Sequence, residues 1–371
     1  MKLIKYKLGD LIRQRRQKND SNDLPICGVT RDGFIPPKQQ DADTSLYNVF
    51  YLKDFVFNPA RMELNAIVFN DRYEKAICSS LYEVFYVHRP EVILPEYLAL
   101  LVKQDWFTRY CKFMGSGSAR EYCRVANISE LEIEVPPIEF QAEMARDNQI
   151  IRDRIELKRR INDNLEAQLS GVYHRFFDAP GNSVPGLISD LGEVVGGATP
   201  STDNPEYFCD DGIAWISPKD LTGTGLKFIY RGELCITESA YNSCSTKLKP
   251  AGTVLFTSRA PVGTVAIAMN DICTNQGFKS VIPKKEIGTA FVYYFLKENK
   301  QLIESHASGT TFMEVSGTVL KSIPAIVPKP EVASRFAAIC MPLFEEQRQN
   351  ELEIGRLQEL RQTLISSISS R

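Results

Sequence analysis

Two long stretches, roughly 139–170 and 331–370, carry apolar residues at helical spacing; the first is proline-poor and the second is broken only by Pro342. In the first, Met144, Ile151, Lys158 and Leu165 sit seven apart, with Asn148, Ile155, Asn162 and Leu169 between them. A shift of 192 positions gives Phe336, Leu343, Asn350 and Leu357, with Cys340, Gln347, Ile354 and Arg361 between. Three of the four leading positions are apolar in both copies, so the heptad seam itself is repeated. This pattern predicts two long helices that pair through Met144, Ile151, Ile155, Leu165, Phe336, Leu343, Ile354 and Leu357. Asn162 and Asn350 on such a seam cost stability and fix register. The plainer alternative is two unrelated amphipathic helices, each packed on its own domain; the shared register favours pairing.

The repeat extends into the regions before each helix. Gly117-Ser118 precedes Val135-Pro136-Pro137, and Gly309-Thr310 precedes Val327-Pro328-Lys329-Pro330, both related by the same shift. Leu8-Gly9-Asp10 resembles Leu191-Gly192-Glu193 at the start of each globular part. The β-branched and aromatic run Phe55-Val56-Phe57-Asn58-Pro59-Ala60-Arg61 takes the place of Thr253-Val254-Leu255-Phe256-Thr257-Ser258-Arg259. The layout is therefore domain (1–137), helix (138–178), hinge and domain (179–330), helix (331–371), with Ala179–Gly186 as the hinge. Two similar domains joined by two long helices suggest a pseudo-twofold object. A helix of about 30 residues spans about 45 Å, or about 13 base pairs of B-DNA. Two heads held about a turn apart would suit a split DNA site with an unread spacer; a two-headed protein-binding scaffold satisfies the same geometry.

Composition narrows the class. In 371 residues, 43% are hydrophobic and 24% charged, the proportions of a folded chain of about two domains. There is no apolar run of membrane-spanning length and no hydrophobic leader after Met1, so a cytoplasmic protein without a membrane partner is expected. Nine scattered cysteines give neither a disulfide framework nor zinc-ligand spacing. The balance of 44 Lys+Arg against 46 Asp+Glu argues against tight DNA binding by the chain alone, and leaves room for local patches or a basic partner. No glycine-lysine phosphate loop is present, and Asn58-Pro59-Ala60-Arg61 lacks the second proline and aromatic ring that an adenine methyltransferase uses to hold the amine. A catalytic site is not expected.

Four stretches of the second half, in order, resemble the target-recognition domain of type I restriction–modification specificity subunits. They are Leu191-Gly192-Glu193-Val194-Val195-Gly196-Gly197-Ala198-Thr199-Pro200-Ser201, Trp215-Ile216-Ser217-Pro218-Lys219-Asp220-Leu221, Thr257-Ser258-Arg259-Ala260-Pro261-Val262-Gly263 and Thr274-Asn275-Gln276-Gly277-Phe278-Lys279. The first half is a looser match: Phe57-Asn58-Pro59-Ala60-Arg61 is similar to a family variant, but Met62-Glu63-Leu64-Asn65 follows where a glycine is usual. Leu165-Glu166-Ala167-Gln168 and Leu357-Gln358-Glu359-Leu360 resemble the ends of the two conserved helices. The resemblance implies an α+β chain: two mixed α/β recognition domains separated by an antiparallel coiled coil. It implies DNA and two modification subunits as partners, with a restriction motor subunit as a possible third. S-adenosylmethionine would be held by the modification subunit, for adenine-N6 methylation, and this chain would carry no cofactor. A fused system, with methylation and cleavage in one partner polypeptide, is the near alternative.

Candidate DNA-contacting residues follow. Arg61 and Arg259 each sit between a strand-like run and a turn, where a guanidinium fork can meet guanine or phosphate, or brace the turn. Asn275 and Gln276 offer amides suited to adenine, though polar turn residues often satisfy their own backbone. Ser116, Ser118 and Arg120, with Thr310 and Thr311, lie in polar loops at equivalent places in the two halves. Thr199, Ser201 and Ser258 add hydroxyls, and Lys219, Lys247 and Lys279 add positive charge.

Overall fold

The computed structural model describes residues 3–21, 23–37, 43–115, 122–223, 225–259, 261–309 and 313–369. The chain divides into two compact units, 1–155 with 356–371, and 156–355. Each takes part of both long helices, so these units do not coincide with the four segments drawn from sequence.

In the first unit, Ile12–Arg15, Glu83–Val87, Phe55–Phe57 and Ile67–Phe69 form an antiparallel sheet in that order. Alternation decides what each face meets. Phe55, Phe57 and Phe85 pack with residues of the helices Pro95–Leu101 and Asp105–Gly115, while Val56, Val68 and Val84 join Cys27, Phe50, Ala76 and Cys78 of a second sheet. The second sheet contains a parallel pair, Ile26–Val29 with Lys75–Cys78. A separate ribbon, Ile4–Lys7 with Glu132–Val135, lies at the root of the first long helix.

The second unit repeats this plan. Gly192–Gly196, Lys279–Pro283, Val254–Phe256 and Val265–Ala268 adjoin in the same order, extended by Phe228–Ile229. A second sheet again has a parallel pair, Ile213–Ile216 with Cys273–Thr274. Ser183–Leu187 pairs antiparallel with Pro324–Pro328. The reading of Ala179–Gly186 as a hinge is therefore corrected: its last residues are a strand, fixed by pairing that local composition does not reveal. Equivalent bonds tie each ribbon to its unit, Leu8 N–H to the Leu131 carbonyl at 2.8 Å and Ile188 N–H to the Ile323 carbonyl at 3.1 Å. The looser sequence match of the first half thus conceals the same mixed α/β fold.

The long helices are Ile138–Phe177 and Pro330–Ser369. The second runs through Pro342, which is exposed, where water can satisfy the carbonyl that its missing N–H leaves free. Within the second unit the helices are antiparallel. Lys158 Nζ donates to Asn350 Oδ1 at 2.8 Å, Asn350 Nδ2 donates to Asn162 Oδ1 at 2.8 Å, and Asn162 Nδ2 donates to the Gln347 carbonyl at 3.1 Å. In the first unit Arg361 Nε donates to Asn148 Oδ1 at 2.9 Å. The polar seam positions therefore meet one another. Of the predicted apolar ones, Ile151, Ile155, Phe336 and Ile354 are buried, and Leu165 and Leu357 are half-buried. Met144 packs against the first unit's core; Phe336 and Leu343 belong to that of the second, where Phe336 meets Phe177 at 5.1 Å.

A buried polar cluster fastens these helices to the second unit's globular part. Lys227 Nζ donates to Glu166 Oε2 at 2.7 Å, Gln347 Oε1 at 2.9 Å and Tyr294 Oη at 3.1 Å, and lies 3.8 Å from the centre of the Phe344 ring. Lys297 also pairs with Glu166. The Lys227 and Phe228 N–H groups both donate to Glu351.

Candidate nucleic-acid interface

The four motif stretches of the second unit are separated by up to about eighty residues in sequence, yet they are joined at one place. Ala198 N–H donates to the Thr274 carbonyl at 3.0 Å, and Trp215 Nε1 donates to the Ala198 carbonyl at 3.1 Å. Asn275 N–H reaches the Ile216 carbonyl at 2.9 Å, and Ser258 N–H the Gly277 carbonyl at 2.8 Å. Such close passage needs glycine: a Cβ on Gly197 would lie 2.2 Å from the carbonyl oxygens of Thr274 and Asn275. Val315 N–H then bonds to the Ser258 carbonyl at 3.0 Å, bringing Val315 to the same point.

The candidate side chains differ in what they have left to offer. Gln276 is exposed and accepts a hydrogen bond from Thr199, which is half-buried. Asn275 Oδ1 accepts from Gly277 N–H at 2.8 Å, so part of its amide serves the turn. Ser258 is fully buried, its hydroxyl donating to the Gly277 carbonyl at 3.1 Å; the expectation that it meets DNA is corrected, because it closes the junction between two motifs. Arg259 and Lys279 both approach Glu314, at 4.0 and 3.2 Å. Lys219 is exposed and paired with Glu233 at 2.8 Å, a hydrogen bond that raises its pKa above the ordinary value. Ser201 and Lys247 are exposed.

In the first unit Arg61 is exposed on the 3-10 turn Pro59–Leu64, which begins with Asn58 Oδ1 accepting from Ala60 N–H at 3.1 Å. The glycine missing from this turn has a substitute. Asn65 adopts a left-handed φ of 54°, as Gly263 does at 89°, and its amide donates to the Val102 carbonyl at 2.7 Å. Cys123 N–H bonds to the Pro59 carbonyl at 3.0 Å, in the manner of Val315 and Ser258. Ser116, Ser118, Arg120, Thr310 and Thr311 lie outside the described residues. Sequence reasoning missed Glu314 and the role of Asn65. The first carries no signal of its own, while the second was legible, since asparagine is the usual substitute for glycine at a left-handed position.

The family pattern described as the type I restriction modification DNA specificity domain matches residues 5–167 and again 181–362. The chain belongs to this family. Two matches in one chain agree with the repeated fold. The MjaIX specificity subunit of Methanocaldococcus jannaschii is 42% identical over 172 residues, 44% of this chain and 39% of that subunit, so the alignment spans well under half of that relative. The HindI specificity subunit of Haemophilus influenzae is 21% identical across 97% of both chains. The type I restriction–modification S subunit from M. genitalium shares the fold, with a TM-score of 0.60 at 14% identity, covering 98% of this chain and 95% of that one.

Proposed function

We propose that this specificity-family chain reads a bipartite, asymmetric DNA sequence for a type I restriction–modification complex, directing adenine-N6 methylation and restriction carried out by partner subunits. One observation supports this most: four motifs distant in sequence are joined into a single junction, bordered by Arg259, Lys279 and Gln276, on a unit whose fold recurs in the first half. A scaffold of that kind holds loops at a fixed place, and differences between the two sets of loops give an asymmetric site. The polar layer of Lys158, Asn162, Gln347 and Asn350 fixes helix register.

In this reading the chain performs no chemical step. The methyl donor, S-adenosylmethionine, belongs to two modification subunits, and motor subunits join for restriction. Among the described residues no group of three His, Cys, Asp or Glu is placed to hold a metal, and no helix is long and apolar enough to cross a membrane. A cytoplasmic complex on chromosomal DNA is the setting that follows from the role.

The test is reconstitution with type I modification subunits from the same genome. Fluorescence anisotropy should show salt-dependent binding to a duplex bearing the methylated motif, far weaker for the chain alone. Equal affinity for a scrambled duplex would contradict the reading.

A further inference from the structure

Arg259 and Lys279 converge on one carboxylate. Arg259 Nη1 lies 4.0 Å from one oxygen of Glu314, and Lys279 Nζ lies 3.2 Å from the other. The backbone fixes the acid there: Glu314 exchanges two hydrogen bonds with Ser308, both 3.0 Å, and pairs with Arg259 across an isolated bridge. The Arg259 and Glu314 side chains are 35% and 36% exposed, so the contact is open to solvent and to a large partner. Lys279 is only 17% exposed and donates also to the Gln276 carbonyl at 3.3 Å, which holds its ammonium in place. Two cations around a planar two-oxygen anion is also how proteins grip a phosphodiester.

We propose that Glu314 is an internal stand-in for a DNA phosphate: it neutralises Arg259 and Lys279 in the free protein, and a phosphate of the bound duplex displaces it. The proposal rests on the DNA-reading function above. Non-specific binding is driven almost wholly by phosphate contacts, so covering these two cations weakens it selectively. A cognate duplex adds base contacts that hold it in place while Glu314 is exchanged; a non-cognate duplex has no such reserve. The overall charge of −2 fits a protein that limits unselective attraction to DNA.

The first unit is built differently at the corresponding strand end. Glu83 begins the strand Glu83–Val87 as Lys279 begins Lys279–Pro283. Its carboxylate accepts from Val125 N–H at 2.7 Å, pairs with Arg124 at 3.3 Å and is 12% exposed. That acid caps a helix and, among the described residues, meets one cation where Glu314 meets two.

The experiment compares wild type, Glu314→Gln, Glu286→Gln and the double variant Arg259→Gln/Lys279→Gln, each assembled with modification subunits. Binding to cognate and scrambled duplexes is followed by anisotropy over a salt series. Glu286 is exposed, so its variant makes the same change in charge away from the cluster. Glu314→Gln should bind the scrambled duplex about two- to fivefold more tightly, the range of one partly exposed ion pair. Its log K against log salt should be steeper by up to about one. The cognate-to-scrambled ratio should fall, and Glu286→Gln should match wild type. The double variant should bind both duplexes more weakly with a flatter salt slope, a result that does not require the Glu314 variant to fold. Scrambled-duplex affinity unchanged or reduced in Glu314→Gln, an equal gain in Glu286→Gln, or an unaltered salt slope in the double variant would each overturn the proposal. Absence of salt-dependent binding by the wild-type complex would instead defeat the DNA-reading function itself.

Discussion

Glu166→Gln removes the centre of the buried cluster that holds the second unit's globular part to its helices. Burial alone would raise the pKa of this carboxyl, but the ammonium groups of Lys227 and Lys297 outweigh it and pull the value from 4.5 down to about 2. At about 1.4 kcal/mol per unit, the ionised form stabilises the fold by about 3 kcal/mol at neutral pH. The attraction to Lys227 is already contained in that figure. Burial holds Lys227 down to about 8 even with Glu166 beside it, so once that carboxylate is gone its ammonium gives up a proton more readily still. The loss is therefore capped, and retained hydrogen bonds from glutamine bring the expected destabilisation to about 2–3 kcal/mol. For a unit of this size that lowers Tm by about 4–12 °C. The sign with pH follows from a depressed carboxyl: its contribution is full above 4.5 and disappears as pH falls toward 2. Urea unfolding of both proteins at pH 7 and again below pH 3 should show a difference that shrinks in acid. A loss under about 1 kcal/mol at pH 7, or one that persists unchanged in acid, would refute the assignment of Glu166 as the anchor.

Three further outcomes follow from the same geometry. Asn350→Ala leaves Asn162 Oδ1 without its donor and takes one acceptor from Lys158, which keeps Glu353 at 2.9 Å; it should cost about 1–3 kcal/mol, read as a lower urea midpoint at an unchanged slope, and an unaltered midpoint would mean the layer is not formed. Gly197→Ala must push the Thr274–Asn275 backbone away, so cognate DNA binding should drop at least about tenfold while the separate first unit keeps its protection from hydrogen exchange; wild-type affinity would show that the junction does not position the reading loops. Ser258→Ala removes a hydroxyl engaged by the Gly277 carbonyl and should cost about 1 kcal/mol of stability with no change in the salt dependence of binding, whereas a flatter salt slope would place that hydroxyl on a phosphate.

The long helices and the two-part layout were legible because periodicity and repetition are local or near-local signals. The seven-residue spacing that placed Asn162 and Asn350 on a seam placed them in one hydrogen-bonded layer. Compact units were not legible, since nothing in residues 138–177 marks where the helix passes from one globular part to the other. The Pro and Gly content of Ala179–Gly186 is locally that of a hinge, and only the partner Pro324–Pro328, more than a hundred residues away, makes a strand of its last residues within Ser183–Leu187. At the candidate interface the motifs marked the right neighbourhood without the roles within it. Ser258 and Arg259 are adjacent in sequence, yet one hydroxyl is sealed inside and the other side chain reaches solvent, a distinction set by strand pairing. Glu314 lies thirty-five residues from Lys279, and a single acid in a polar loop gives no warning that it will neutralise two cations.

The central claim is tested most directly by sequencing the methylated bases of host DNA with and without this gene, modification subunits being expressed in both strains. Loss of N6-methyladenine from one bipartite motif on deletion, restored by the wild-type gene, is the result predicted. An unchanged pattern of methylation would contradict the account and leave a two-headed fold without the reading function argued for it.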